Sequence, residues 1–247
     1  MIDTHLHILP GVDDGPGTME EALALARALV QAGVHTAIAT PHYNDEFARL
    51  PMGEIRRRVD DMQQELVRQN IPLRLFPGHE ALISPELVAA LRSGSLATLN
   101  GSRYLLLELW NSAWIPETER VIFELRTLGI VPIIAHPERY RSIQQNPERL
   151  LKLLEQGVLT QITAASLLGI QGRSARACAE TLLKKGYVHL IASDSHSVGR
   201  RLAAIKQALE IVARMLGQAE AQQMSEARPL AIVQNEELRA APLRQFR

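Results

Sequence analysis

A short apolar run that ends in an imidazole or a carboxylate and is followed by a stretch of helical periodicity recurs along most of this chain. The first run is Ile2-Asp3-Thr4-His5-Leu6-His7. The second, residues 34–39, ends in Thr40-Pro41-His42, and the third, residues 72–76, closes in Gly78-His79-Glu80. Residues 104–109 carry Glu108 inside an otherwise apolar run, and residues 130–135 lead into His136-Pro137-Glu138-Arg139. Residues 158–163 form a sixth run, and residues 188–192 a seventh that ends in Ser193-Asp194-Ser195-His196. Helical patterns separate them at residues 19–32, 55–69, 85–91, 116–128, 147–156 and 172–185, and 202–216 follows the last run. Thr18 is placed to cap the first helix and Gly33 to stop it, while Pro116 suits the first turn of the helix it opens. Seven strand-then-helix units require right-handed crossovers and predict a closed or nearly closed parallel α/β barrel. We expect one domain over residues 1–247, with 217–247 as a polar tail whose short apolar stretch, Leu230 to Val233, packs on it.

In a parallel barrel the C-terminal ends of all strands face one side, so their polar tips converge. His5 and His7 project to the same side of the first strand because side chains alternate along it. With Asp14 from the first loop, the convergent set is His5, His7, Asp14, His42, Glu80, Glu108, His136, Asp194 and His196. A carboxylate buried alone at Glu108 would be costly, and a cation removes the cost. Imidazoles and carboxylates without sulfur suit manganese, iron or zinc, and more donors than one ion needs indicate a multinuclear site. His35, His79 and His189 read as structural histidines; Trp110 and Trp114 read as core or rim packing, with lining of the barrel mouth as the alternative. Arg139, Arg200 and Arg201 follow tip residues closely, and guanidinium groups beside metal ions favour a phosphoester substrate.

Composition narrows the partners. Lysine plus arginine and aspartate plus glutamate both number 27 in the 247 residues, so no net field recruits nucleic acid. Cys178 is the only cysteine, which excludes an internal disulfide and suits a reducing compartment. No leader-like pattern opens the sequence, and no apolar run approaches the about 20 residues that span a bilayer. A cytoplasmic location without membrane insertion is therefore expected.

Taken together, His5-x-His7, Thr40-Pro41-His42, Gly78-x-Glu80, Glu108, Ala135 to Tyr140 and Ala192 to His196 resemble the polymerase-and-histidinol-phosphatase superfamily. The opening Ile8-Leu9-Pro10-Gly11-Val12-Asp13-Asp14-Gly15 is similar to the bacterial metal-dependent protein-tyrosine phosphatases of capsule and exopolysaccharide loci. That resemblance covers the chain to about Leu238 and implies a distorted (β/α)7 barrel with a trinuclear centre. It would allot His5, His7, Glu80 and Asp194 to one ion, Glu80, Glu108 and His136 to a second, and Asp14, His42 and His196 to a third. Manganese is the ion it favours, with iron or zinc as alternatives, and Arg139 and Arg201 match its substrate-phosphate arginines. The implied reaction is hydrolysis of protein phosphotyrosine, with a tyrosine autokinase of polysaccharide export as partner. A phenolate leaves readily, so a dedicated general acid is not required. The sequence departs from the pattern at Thr163, where relatives usually carry asparagine, and at Leu202, where proline is frequent. Its segment Arg228 to Val233 resembles the family's closing helix.

Three other readings compete. A phosphatase of a small metabolite such as histidinol phosphate or a nucleotide would share the reaction class. An amidohydrolase would also open with His-x-His, but usually carries a carboxylated lysine on its fourth strand, where this chain has Glu108. A metal-stabilised binding protein would keep the ligands without turnover. A cysteine-nucleophile route is disfavoured, since Lys184 and not arginine stands six residues after Cys178.

Overall fold

The computed structural model describes residues 1–110, 114–115 and 117–238. Pro116, assigned above to a helix's first turn, and the end of the tail lie outside them. The strands are β1 (Ile2–Leu6), β2 (Thr36–Ala39), β3 (His42–Tyr43), β4 (Arg74–Pro77), β5 (Glu80–Leu82), β6 (Tyr104–Glu108), β7 (Val131–Ala135), β8 (Leu159–Thr163) and β9 (Leu190–Ala192). All pair in parallel, in the orders β1-β2-β4 and β3-β5-β6-β7-β8-β9. The two sheets are one wall cut twice. The second predicted strand is interrupted between Ala39 and His42 and the third between Pro77 and Glu80, because Thr40-Pro41 and Gly78-His79 leave the ladder. Hydrogen bonds from Thr40 N to Leu6 O (2.8 Å) and from Glu80 N to Pro41 O (3.1 Å) carry the wall across the cuts. Proline lacks the N–H that a continuous strand would need at position 41. Glycine at 78 is a packing requirement, since a Cβ there would stand 2.9 Å from Leu99 Cδ2 and 3.0 Å from Ile38 Cγ2.

Closure runs through β9 and β1. Asp194 N donates to His5 O (3.1 Å) and His7 N to Ser195 O (3.0 Å), and a bridge joins Leu6 to Ser195. The expected distorted seven-unit barrel is thus present, with its second and third strands each in two pieces. Its outer face and the surrounding helices share a large apolar core that includes Leu25, Leu29, Met62, Leu105, Ile134 and Leu182. Met19–Gln31 illustrates the local logic: Thr18 caps it with a reciprocal Glu21 contact, and its buried stripe is Ala22, Leu23, Leu25, Ala26 and Leu29.

The tail packs through the stretch expected, and it is more helical than expected. Residues 218–233 are helical almost throughout, as Gln218–Gln222, Gln223–Ala227 and Arg228–Val233. Ile232 from the last helix is fully buried with Ile38, Tyr104, Leu106, Ile133 and Leu190 in a second apolar cluster. The tail therefore completes a core, and Tyr104 Oη fixes it by donating to Glu236 O (2.7 Å). No described helix is long and apolar enough to cross a membrane. Trp110 is 45% exposed and donates from Nε1 to Ile83 O, and Trp114 packs on the outer core, with Arg149 over its ring.

Candidate metal centre

The strand ends bring all nine expected donors together with Arg139 and Arg201. Asp14, His42, Glu80, Glu108, His136, Asp194, His196 and both arginines line a cavity of about 240 Å³, with His5 and His7 buried beneath it. Glu80 is the hub. Its Oε2 lies 3.2 Å from His5 Nε2, 3.4 Å from His7 Nε2 and 3.2 Å from His42 Nδ1, while Oε1 lies 2.9 Å from His136 Nε2. Asp194 Oδ1 stands 3.4 Å from His5 Nε2. Asp14 Oδ1 stands 3.2 Å from His196 Nε2 and 3.6 Å from His42 Nε2. Glu108 faces His42 at 3.9 Å and His136 at 4.0 Å.

Among the described residues, ligand atoms cluster in three overlapping groups: His7, Asp14, His42 and His196; His5, His7 and Glu80; and His42, Glu80 and Glu108. Sharing of Glu80, His7 and His42 between groups is the geometry of adjacent ions rather than of separate ones. The groups differ from the allotment given above: His7 also joins the Asp14 group, His42 also joins Glu80 and Glu108 by turning Nδ1 toward Glu80 and Nε2 toward Asp14, and Asp194 and His136 fall in none of the three. His136 joins Glu80 from the other side.

The donors fit divalent cations on two observations. His42 Nδ1 is buried 3.2 Å from Glu80 Oε2 yet makes no hydrogen bond, an orphan that a cation would satisfy. Burial, and then the charge of Glu80, push the Glu108 carboxyl up to about 8, so without a cation the two carboxylates oppose each other. Asp14 goes the other way: although burial raises it, the His196 contact and the nearby His7 and His42 hold it at about 2.

Backbone strain marks the same place. Five described non-glycine residues have positive φ; three are asparagines, which tolerate it, and the others are His136 (φ 33°) and Asp194 (φ 52°). Strain held at two ligand-type residues implies that the fold maintains their direction against a local cost.

Sequence reasoning left out the groups that aim these side chains. Asp13 Oδ2 accepts from His7 Nδ1 at 2.7 Å and from His42 N at 3.2 Å, leaving His7 Nε2 to face Glu80. Gly15 lets that loop close, since a Cβ there would lie 2.7 Å from His7 O. The Gln161 amide meets His5 Nδ1 at 3.1 Å and also the Thr4 hydroxyl. Glu138, fully buried, accepts from Thr163 N and the Ser166 hydroxyl and so braces the turn that presents Arg139. A polar residue at an inward strand position, as at Gln161, was the available signal; Asp13 stands in the opening motif beside Asp14, but its spacing does not reveal that it orients His7.

Two of the three arginines border the cavity and Arg200 does not. Arg139 donates to Asp194 Oδ2 (2.8 Å), Arg201 donates to Asp194 O (2.8 Å) and approaches His196 Nδ1 (3.0 Å), and Arg200 is exposed. The histidines read as structural are elsewhere engaged. His79 Nδ1 accepts from Ala97 N, His189 Nδ1 accepts from Thr160 N, and exposed His35 pairs with Glu226. Neither tryptophan lines the cavity. Cys178 is buried on the helix Arg173–Lys185, and burial pushes its thiol up to about 12, which removes it as a nucleophile.

Comparison with known proteins places the whole chain beside one family. The family model for capsular polysaccharide synthesis, CpsB/CapC, matches residues 1–234. Tyrosine-protein phosphatase YwqE of Bacillus subtilis strain 168 is 37% identical over 217 residues, covering 88% of this chain and 85% of that one. Tyrosine-protein phosphatase CpsB of Streptococcus pneumoniae is 29% identical over 241 residues, covering 96% and 99%. One of the solved structures of YwqE from Bacillus subtilis and CpsB from Streptococcus pneumoniae, described as unique metal-dependent tyrosine phosphatases, superposes with a TM-score of 0.94. It is 33% identical, and each chain is fully covered. A β-aspartyl dipeptidase from Fervidobacterium islandicum AW-1 matches at a TM-score of 0.57 and 15% identity, covering 94% of this chain and 74% of that one; the barrel is shared, and nothing more follows.

Proposed function

This chain belongs to the CpsB/CapC family of capsular polysaccharide synthesis, and on that premise we propose that it hydrolyses phosphotyrosine on a protein with the help of three divalent ions. The observation that carries the reading is Glu80, whose two oxygens reach four histidines within 3.4 Å beside two arginines directed at the same cavity. His5, His7, Asp14, His42, Glu80, Glu108, His136, Asp194 and His196 are the ligands in this reading. Manganese is favoured, with iron or zinc as alternatives. When bound, such ions supply charge neutralisation at phosphoryl oxygens and a water made acidic enough to attack at neutral pH.

The chain's own groups do the rest. Arg139 and Arg201 are tethered to Asp194, so their guanidinium groups are held at the cavity wall before a substrate enters. Two fixed cations there hold the non-bridging phosphate oxygens and favour the extra charge of the transition state. His5 and His7 lie below the cavity floor, where water has no access to compete. No dedicated acid is assigned, because a phenolate departs without one. The partner in this reading is a bacterial tyrosine kinase, met in the cytoplasm.

The test is chelator-stripped protein assayed after separate addition of manganese, iron and zinc. Substrates would be a phosphotyrosyl peptide, histidinol phosphate and a nucleoside monophosphate. Metal-dependent turnover that favours the peptide supports the reading. Preference for either metabolite, or equal activity without metal, overturns it.

A further inference from the structure

The cavity that takes the phosphate has one apolar wall. Among the described residues lining it, Phe47 alone is neither polar nor charged. A phosphoryl group needs no such surface. Whatever is esterified to it meets this ring if it meets anything apolar.

Phe47 is held in place and has no part in the core. It follows β3 in a turn built by Asn44, whose buried Oδ1 accepts from both Glu46 N (3.0 Å) and Phe47 N (3.1 Å). Its ring stacks on His42, at 8° and 5.4 Å between centroids, so that an imidazole already in the site fixes its orientation. The residue is part-exposed and absent from both apolar clusters, so the fold gains little from placing a phenylalanine there.

We propose that Phe47 is the specificity residue for the leaving group: it receives the aromatic ring of an aryl phosphate while Arg139 and Arg201 hold the phosphate. This deepens the reading above and rests on it. An aryl ring bonded to the ester oxygen enters the cavity with the phosphate and gains an offset aromatic contact, worth about tenfold in affinity. A flexible alkyl ester such as phosphoserine presents no comparable face.

The experiment compares wild type with Phe47→Ala, Phe47→Tyr and Phe47→Leu. The first readout is the ratio of kcat/KM for phenyl phosphate over glycerol 2-phosphate. The second is calorimetric binding of phenylphosphonate against methylphosphonate to the manganese-loaded protein, which does not depend on turnover. We expect Phe47→Ala to lower both ratios about tenfold, Phe47→Tyr to restore them and Phe47→Leu to restore them in part. Manganese content measured alongside shows whether His42 has lost its ion. Ratios unchanged by Phe47→Ala would overturn the assignment, as would an equal loss for aryl and alkyl ligands. Wild type that binds phenylphosphonate no better than methylphosphonate would overturn it as well. Wild type that prefers phenylphosphonate but hydrolyses no phosphotyrosine would instead count against the proposed reaction and leave the ring contact standing.

Discussion

Asp13 Oδ2 and His7 Nδ1 stand 2.7 Å apart, both side chains almost wholly buried, so the carboxylate fixes which nitrogen of His7 faces the cluster. This pair turns a strand-end histidine into a directed ligand. Asp13 also holds His42 N and Gly15 N, which makes it the joint between the first loop and two donors.

Replacing Asp13 by asparagine keeps the shape and removes the charge. Metal affinity should fall roughly 10–100-fold, with fold stability affected less than by loss of a core side chain. Titration of the stripped protein with manganese checks this. Unchanged affinity would reduce Asp13 to a turn residue.

Arg139→Ala and Arg201→Ala should each lower kcat/KM by about 10²–10³ when compared at equal metal occupancy, because the arginines act on phosphate. Arg200→Ala, one position from Arg201 but exposed, should stay within about threefold of wild type, as surface changes do. Steady-state kinetics with parallel elemental analysis separates the three.

Glu108 makes metal binding and folding pull in opposite directions. Its carboxyl sits at about 8 in the metal-free fold against an ordinary 4.5. Between those values the folded state holds a proton that the unfolded chain has released, so its contribution to stability declines as pH rises from 4.5 to 8. Glu108→Gln should therefore make the metal-free protein more stable than wild type at pH 8, with the advantage gone below pH 4.5. The same variant should lose activity. Loading wild type with metal below pH 8 should release a proton, visible as a buffer-dependent heat in calorimetry.

His189 is one of two buried histidines, with His79, that make the fold acid-sensitive. Buried and beside Arg228, it is held down to about 4 from 6.5, so the folded state keeps it neutral where the unfolded chain binds a proton. Its contribution is whole above pH 6.5 and is lost as pH falls to about 4, up to roughly 3 kcal/mol. An asparagine side chain at this position can still accept from Thr160 N and does not titrate. Denaturant midpoints of His189→Asn measured from pH 7 to 4 should fall less steeply than those of wild type.

The barrel and its ring of donors were legible because both are periodic. Apolar runs give the strands, and a convergent tip follows from parallel strands once they are counted. What escaped had no period to reveal it. β3 and β5 are two and three residues long and lie beyond breaks at Pro41 and Gly78. The packing of Leu230 to Val233 was legible as an apolar stretch, whereas the helices before it carry few apolar residues and place Ala221 and Met224 in the core. Asp13, Glu138 and Phe47 act through loops and turns, where contacts are set by tertiary closure rather than by spacing. The two orientations of His42 likewise depend on side-chain rotation, which no sequence pattern records.

The central claim is that these nitrogens and oxygens hold ions around Glu80. The direct measurement is anomalous diffraction at the manganese edge from crystals grown with manganese. Three peaks in contact with Glu80, Asp14, Glu108 and the surrounding histidines are predicted. A cavity free of anomalous density in crystals of protein that remains an active phosphatase would contradict the account.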